Sequence, residues 1–193
     1  AAGRVALVVP AIGDGTGDLR QEAFQLQAAA QAQIRAGATS VDVIGYSAGG
    51  VVVRIWQQDM GGARITRRVV TLGSPHHGTK TAKLGQLFGG AACTTACQQL
   101  VPGSTLLESL DETTNGPRWV SIWTDQDTVV KPPDTAELDR AVNIELQQLC
   151  RAPSSPTPSC RPIHWSPLVL KALAVPPLTA VPDPADCAAL RAA

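Results

Sequence analysis

Short apolar runs alternate along the chain with segments of helical periodicity. The first run is Val5-Ala6-Leu7-Val8-Val9, closed by Pro10. An unbroken run of this kind suits a strand buried on both faces of a parallel sheet. A glycine-rich loop follows from Ile12 to Gly17, and Asp18-x-x-Gln21 reads as a capping pair that opens a helix. Leu19, Ala23, Leu26, Ala30 and Ile34 recur at helical spacing until Gly37 ends the pattern. Val41-Asp42-Val43-Ile44 is the next strand. A second helix runs from about Ala48 to Met60 and stops at Gly61-Gly62, and Arg68-Val69-Val70-Thr71-Leu72 is a third strand.

Residues 75–117 have weak periodicity and many Gly and Thr, which reads as loop and short helix, a small cap over a site. Trp119–Trp123 is the fourth strand, and Ala141–Leu149 alternates apolar with polar residues as a fifth. Arg151–Pro162 is a Pro/Ser-rich loop that follows Cys150 and contains Cys160. Short helices after His164 and near Ala185 finish the chain. Strands alternating with helices predict an α/β fold: a mostly parallel sheet flanked by helices and joined by right-handed crossovers. The sequence shows no repeat and no composition break, so residues 1–193 are expected to form a single domain.

Composition narrows the function classes. Of the 193 residues, 44% are hydrophobic, which is enough for a packed core. Lys plus Arg and Asp plus Glu both number 16, without basic runs, which argues against a nucleic-acid partner. No apolar run approaches the roughly 20 residues of a transmembrane segment. Ala1-Ala2-Gly3-Arg4 lacks the basic start and long apolar core of a signal peptide, so a secreted protein would be present here in processed form. Cysteines stand at 93, 97, 150, 160 and 187. Two close pairs suggest two disulfide-closed loops, Cys93 with Cys97 and Cys150 with Cys160, and hence an oxidising compartment. The spacing of Cys93 and Cys97 also suits zinc, but no second pair or histidine lies nearby to complete four ligands, so no metal is expected. Cys187 is left over.

The chemistry centres on Gly45-Tyr46-Ser47-Ala48-Gly49, a G-x-S-x-G between a buried strand and a helix. With seventeen glycines in the chain the bare pattern is a weak signal; its position between strand and helix makes it specific. A sharp strand-to-helix turn holds such a serine in a strained conformation with its hydroxyl clear of the sheet, while the glycines let backbones approach. The helix N-terminus, starting with the Ala48 N–H, then points free N–H groups at a reacting oxygen. A serine nucleophile needs a base, and the chain has only His76, His77 and His164. In the order nucleophile, acid, histidine, only His164 follows the last strand. The acid is expected just past strand 119–123, where Asp125 and Asp127 both qualify and Asp127 is preferred.

These segments, with Thr71-Leu72-Gly73-Ser74-Pro75-His76-His77-Gly78-Thr79 and Asp127-Thr128-Val129-Val130, resemble the small secreted bacterial lipases and esterases of the α/β-hydrolase superfamily, in particular the actinomycete branch. The resemblance runs from about residue 5 to residue 173. It implies hydrolysis of ester or lipid substrates outside the cell, without a cofactor, by a triad of Ser47, Asp127 and His164. It also implies that His76 and His77 line the site without acting as the base. One feature departs from the pattern. Such enzymes open with a strand followed by His-Gly, whose loop donates a second oxyanion N–H, and no His-Gly occurs near residue 1. Ile12 is the substitute candidate. Run 5–9 then corresponds to the family's next strand, and a strand upstream of it is expected to be absent from this chain. Hydrolysis of polyesters or thioesters, and a weakly active or non-catalytic version of the fold, remain as alternative readings.

Overall fold

The computed structural model describes residues 5–80, 93–149, 165–187 and 190. Among them a four-stranded sheet runs in the order β1 (Val41–Tyr46), β2 (Thr66–Leu72), β3 (Arg118–Trp123), β4 (Val142–Glu145), with all three pairings parallel. Spatial order follows chain order, so each strand-to-strand connection crosses the sheet. α1 (Leu19–Arg35) precedes β1, and α2 (Ala48–Asp59) makes the crossing between β1 and β2. The short α3 (Thr95–Gln99) and α4 (Thr105–Glu108) lie between β2 and β3. After β4 come α5 (Leu146–Leu149) and α6 (Trp165–Leu173). No helix among the described residues is long and apolar enough to cross a membrane.

Period-2 alternation divides the core into two halves. Val43, Val69 and Trp119 face one side and pack with Val51, Ile55 and Trp56 of α2. Their chain neighbours Val70 and Val120 face the other side, together with Ile122, Ile144 and the α6 residues Leu168 and Ala172. The apolar runs of β2 and β3 therefore have the double burial that their sequence predicts. Asp18 caps α1, accepting a hydrogen bond from the Arg20 N–H. The glutamine that completes this cap is Gln99 of α3, not Gln21: its Nε2 donates to Asp18 Oδ1 at 2.7 Å and its Oε1 accepts from the Leu19 N–H at 2.9 Å.

Two expected strands are corrected. Run 5–9 forms no strand, and Val5, Leu7 and Val8 are 90, 58 and 86% exposed. The run and β1 line one cleft, and among the described residues no strand pairs with the run. The expected strand 141–149 splits into β4 and the single helical turn α5, because only Val142–Glu145 finds β3 alongside. Cys93 and Cys97 are joined in a disulfide, which settles that pair against zinc. Cys187 is also disulfide-bonded and is not left over; its partner lies outside the described residues. The expected Cys150–Cys160 pairing lies outside them too.

Candidate active site

Ser47 occupies the single residue between β1 and α2, with φ 50° and ψ −127°. A non-glycine residue in this region costs about 1–3 kcal/mol and persists only where its surroundings enforce it. Here they do. The Ser47 N–H donates to Leu72 O at 2.9 Å, which ties the turn to the end of β2, and Ser47 O accepts from the Gly50 N–H at 3.1 Å. The turn is also tight enough to require glycine. A Cβ on Gly45 would stand 2.6 Å from Gly50 Cα, and one on Gly50 would stand 2.2 Å from Ser74 Oγ. The strand and the helix therefore meet backbone to backbone at Gly45, as the motif predicts, whereas a Cβ on Gly49, the motif's other glycine, would meet nothing within 4 Å, so Gly49 is not needed for the approach. Ala48 is the first residue of α2, so its N–H has no carbonyl one turn earlier to bond. The Ile12 N–H is already engaged, bonded by both oxygens of the Glu22 carboxylate at 3.0 and 3.1 Å.

Ser47 and Asp127 line one open cleft of 1730 Å³. Residues 5–11, β1 and part of α1 line it, and Gly73 and Trp165 also border it. Asp127 is half-buried. Its Oδ1 accepts from the N–H groups of Val129 and Val130, at 2.7 and 2.9 Å. Oδ2 lies beside Gly73, where an added Cβ would stand 3.3 Å away, and Gly73 has φ +53°. One carboxylate oxygen is thus fixed by its own loop, leaving the other without a hydrogen bond among the described residues. Asp125 is exposed and does not border the cleft, while its N–H is held by Gln147 Oε1 at 3.0 Å. His164 lies outside the described residues. Trp165, the next residue in the chain, opens α6 at the rim of the cleft.

Neither His76 nor His77 lines the cleft, contrary to what the resemblance implies. His76 is 1% exposed and sits beneath α2, with its Nε2 3.0 Å from Thr71 Oγ1. Thr71 donates to Ser121 Oγ, opposite it in the β2–β3 register, and Ser121 donates to Ala136 O. Since Thr71 spends its proton on Ser121, Nε2 is the protonated nitrogen of His76. Burial holds the His76 pKa well below the ordinary histidine value, and the nearby Arg54 and His77 lower it further. His77 is exposed and paired with Glu112 at 2.8 Å.

Three residues shape this region without a role assigned from sequence, although Gly73 and Thr79 lie in the segment 71–79 that carries the resemblance. Arg54 of α2 is buried and donates to the carbonyls of His76, Leu110 and Asp111, tying α2 to both loops. Its only trace in the sequence is a lone charge inside the apolar run 51–56. Gly73 is the turn at the end of a buried strand, beside Asp127. Thr79 is a buried hydroxyl bonded to the loop that follows Asp127.

No family model matches the chain, and no curated protein matches it. Solved structures do. The mature form of Bacillus licheniformis lipase BlEst2 is 19% identical, with a TM-score of 0.55 over 66% of this chain and 64% of that one. Aspergillus fumigatus lipase B is 17% identical, with a TM-score of 0.62 over 73% of this chain and 37% of that one. Phospholipase PlaB from Legionella pneumophila, in complex with thio-NAD, is 20% identical, with a TM-score of 0.51 over 64% of this chain and 30% of that one. The chain spans less than two thirds of each of these proteins. Together with the parallel sheet and its flanking helices, these likenesses place the fold in the α/β-hydrolase class.

Proposed function

We propose that the protein is a secreted carboxylic ester hydrolase that acts on lipid or other ester substrates through an acyl-enzyme on Ser47. The observation that carries this reading is Ser47 itself, a strained non-glycine residue at the head of α2 in a cleft that Asp127 also lines. A fold has little reason to keep that strain unless the half-buried hydroxyl in the cleft is used. In the proposed reaction His164 takes the Ser47 proton as Oγ attacks the ester carbonyl. Asp127 holds the imidazole tautomer through its unengaged Oδ2 and stabilises the imidazolium. The Ala48 N–H donates to the oxyanion, the alcohol leaves with the proton from His164, and a water activated by His164 then releases the acid. Secretion is supported by the disulfide chemistry of Cys93, Cys97 and Cys187.

One observation favours a weakly active form of the same chemistry. The Ile12 N–H is spent on Glu22, which leaves Ala48 as the one oxyanion donor assigned among the described residues. A missing donor costs roughly 100- to 1,000-fold in rate. The test is labelling by a fluorophosphonate together with hydrolysis of nitrophenyl esters. Stoichiometric labelling that is lost in Ser47→Ala, with the fold intact, is expected. Unchanged ester hydrolysis by Ser47→Ala would remove Ser47 from the reaction. Complete labelling with slow turnover would favour the weakly active form.

A further inference from the structure

The Asp127 carboxylate is aimed by its own loop, and that loop is held from outside. Oδ1 accepts from the N–H groups of Val129 and Val130, so the two peptide units on either side of Val129 set its direction. Asp125, Gln126 and Thr128 are exposed and offer that stretch no packing. What fixes the far end of the loop is Thr79, which reaches it from the segment that follows β2. The Thr79 side chain is 2% exposed. Its Oγ1 donates to Val129 O at 2.9 Å and accepts from the Lys131 N–H at 2.9 Å, closing around Val130 from both sides. The neighbouring Lys80 N–H donates to Lys131 O at 2.9 Å. The segment carrying Thr79 is itself fixed. Its backbone N–H donates to Leu100 O at 2.9 Å, and a Cβ on Gly78 would stand 2.6 Å from Pro102 N.

We propose that Thr79 is a positioning residue for Asp127: its hydroxyl clamps the peptides on either side of Val130, one of which carries the Val130 N–H that holds the carboxylate, and so keeps Oδ2 facing the cleft. This rests on the assignment of Asp127 as the acid of an ester hydrolase. Thr79 touches neither Asp127 nor a substrate; it acts through the loop. Valine at this position keeps the shape of the side chain, removes both hydrogen bonds and leaves a part-buried Lys131 N–H unpaired. Serine keeps the hydroxyl.

The experiment is a double-mutant cycle read by steady-state hydrolysis of a nitrophenyl ester. Thr79→Val is expected to lower kcat by up to about 100-fold, the scale of a misplacement of about 1 Å in a catalytic group, with KM nearly unchanged. Thr79→Ser is expected to stay within about 3-fold of the parent. In an Asp127→Asn background, Thr79→Val should cost less than about 2-fold more, because the group it positions is already impaired. A loss that is fully additive, or that appears in KM alone, overturns the inference. So does a Thr79→Ser variant as impaired as Thr79→Val. Where Thr79→Val does not fold, Thr79→Ala is read in the same cycle. Full activity of Asp127→Asn overturns the acid assignment, and the role of Thr79 with it. An inactive Asp127→Asn with an additive Thr79→Val loss overturns the role of Thr79 alone.

Discussion

Replacing Gly45 by Ala tests whether the closeness of β1 and α2 is what presents Ser47. A Cβ at Gly45 would stand 2.6 Å from Gly50 Cα, 2.7 Å from Gly50 N and 2.8 Å from Gly49 O. Non-bonded carbon atoms pack at roughly 3.5–4.0 Å, so the shortest contact falls short by about 1 Å. All three obstacles are backbone atoms, so no side-chain rotation relieves them; α2 must move off the strand as a body. Overpacking of this kind costs about 1–3 kcal/mol, and the stiffer unfolded chain of an alanine variant returns about 0.4–1 kcal/mol, which leaves a net loss of about 1–2 kcal/mol. The movement carries Ala48 with it. A shift of about 1 Å at the oxyanion donor should lower kcat/KM by about 100-fold. Gly49→Ala is the control for stability. Its Cβ meets nothing within 4 Å, and Gly49 lies inside α2, so alanine should stabilise by up to about 1 kcal/mol. Urea titration gives both stabilities, and nitrophenyl ester hydrolysis gives the rate. A Gly45→Ala protein with parental stability and parental kcat/KM would refute the argument that backbone contact shapes the turn.

Three further outcomes are expected. Asp127→Asn should cost far more hydrolysis rate than Asp125→Asn, up to about 10⁴-fold if the imidazole tautomer is lost; steady-state kinetics giving the reverse ranking would move the acid to Asp125. Because burial holds the His76 pKa well below its ordinary value, the unfolded chain takes up a proton below about pH 6.5 while the folded one does not. Stability should therefore be full at neutral pH and fall on acidification through that range by up to about 1.4 kcal/mol per pH unit; a melting-temperature slope between pH 5 and 6.5 that persists unchanged in His76→Leu would assign it to other groups. With five cysteines and a disulfide at Cys187, thiol titration of the denatured, unreduced protein should find one thiol per chain rather than five.

The fold was legible wherever a local pattern meets a partner close by. The runs in β2 and β3 are buried on both faces, and so they read as strands before any neighbour is known. The turn at Ser47 was legible because its chemistry is local: two glycines, a strand before and a helix after. Run 5–9 is more apolar than β2, yet it pairs with no strand among the described residues. Strand propensity reports what a segment tolerates on a pleated, half-buried surface; whether a second backbone lies alongside is not written in the segment. The same limit hid the glutamine that completes the Asp18 cap. Gln21 stands at the local spacing, and Gln99 arrives from α3 through the fold. It also hid the buried Arg54, whose compensation consists of carbonyls in loops with no signature of their own.

The candidate site divides along the same line. Ser47 and the Ala48 N–H follow from one turn, so sequence alone proposes them. The preference for Asp127 over Asp125 also came from the sequence, but the orientation of its loop did not. That orientation follows from contacts of two kinds: an Asp side chain folded onto N–H groups two and three residues ahead, a habit of aspartate that sequence can suggest, and a threonine hydroxyl supplied from another part of the chain, which it cannot. The first makes the loop self-consistent, and the second anchors it to the body of the protein. A carboxylate held only by its own loop would move with the loop. Anchored through Thr79 and Lys80, it shares a frame with β2, and the Ser47 turn is tied to that same strand through the carbonyl of Leu72. The Ser47 turn and the Asp127 loop are thus referenced to one strand from two sides, which would give the proposed triad a fixed geometry before any substrate arrives.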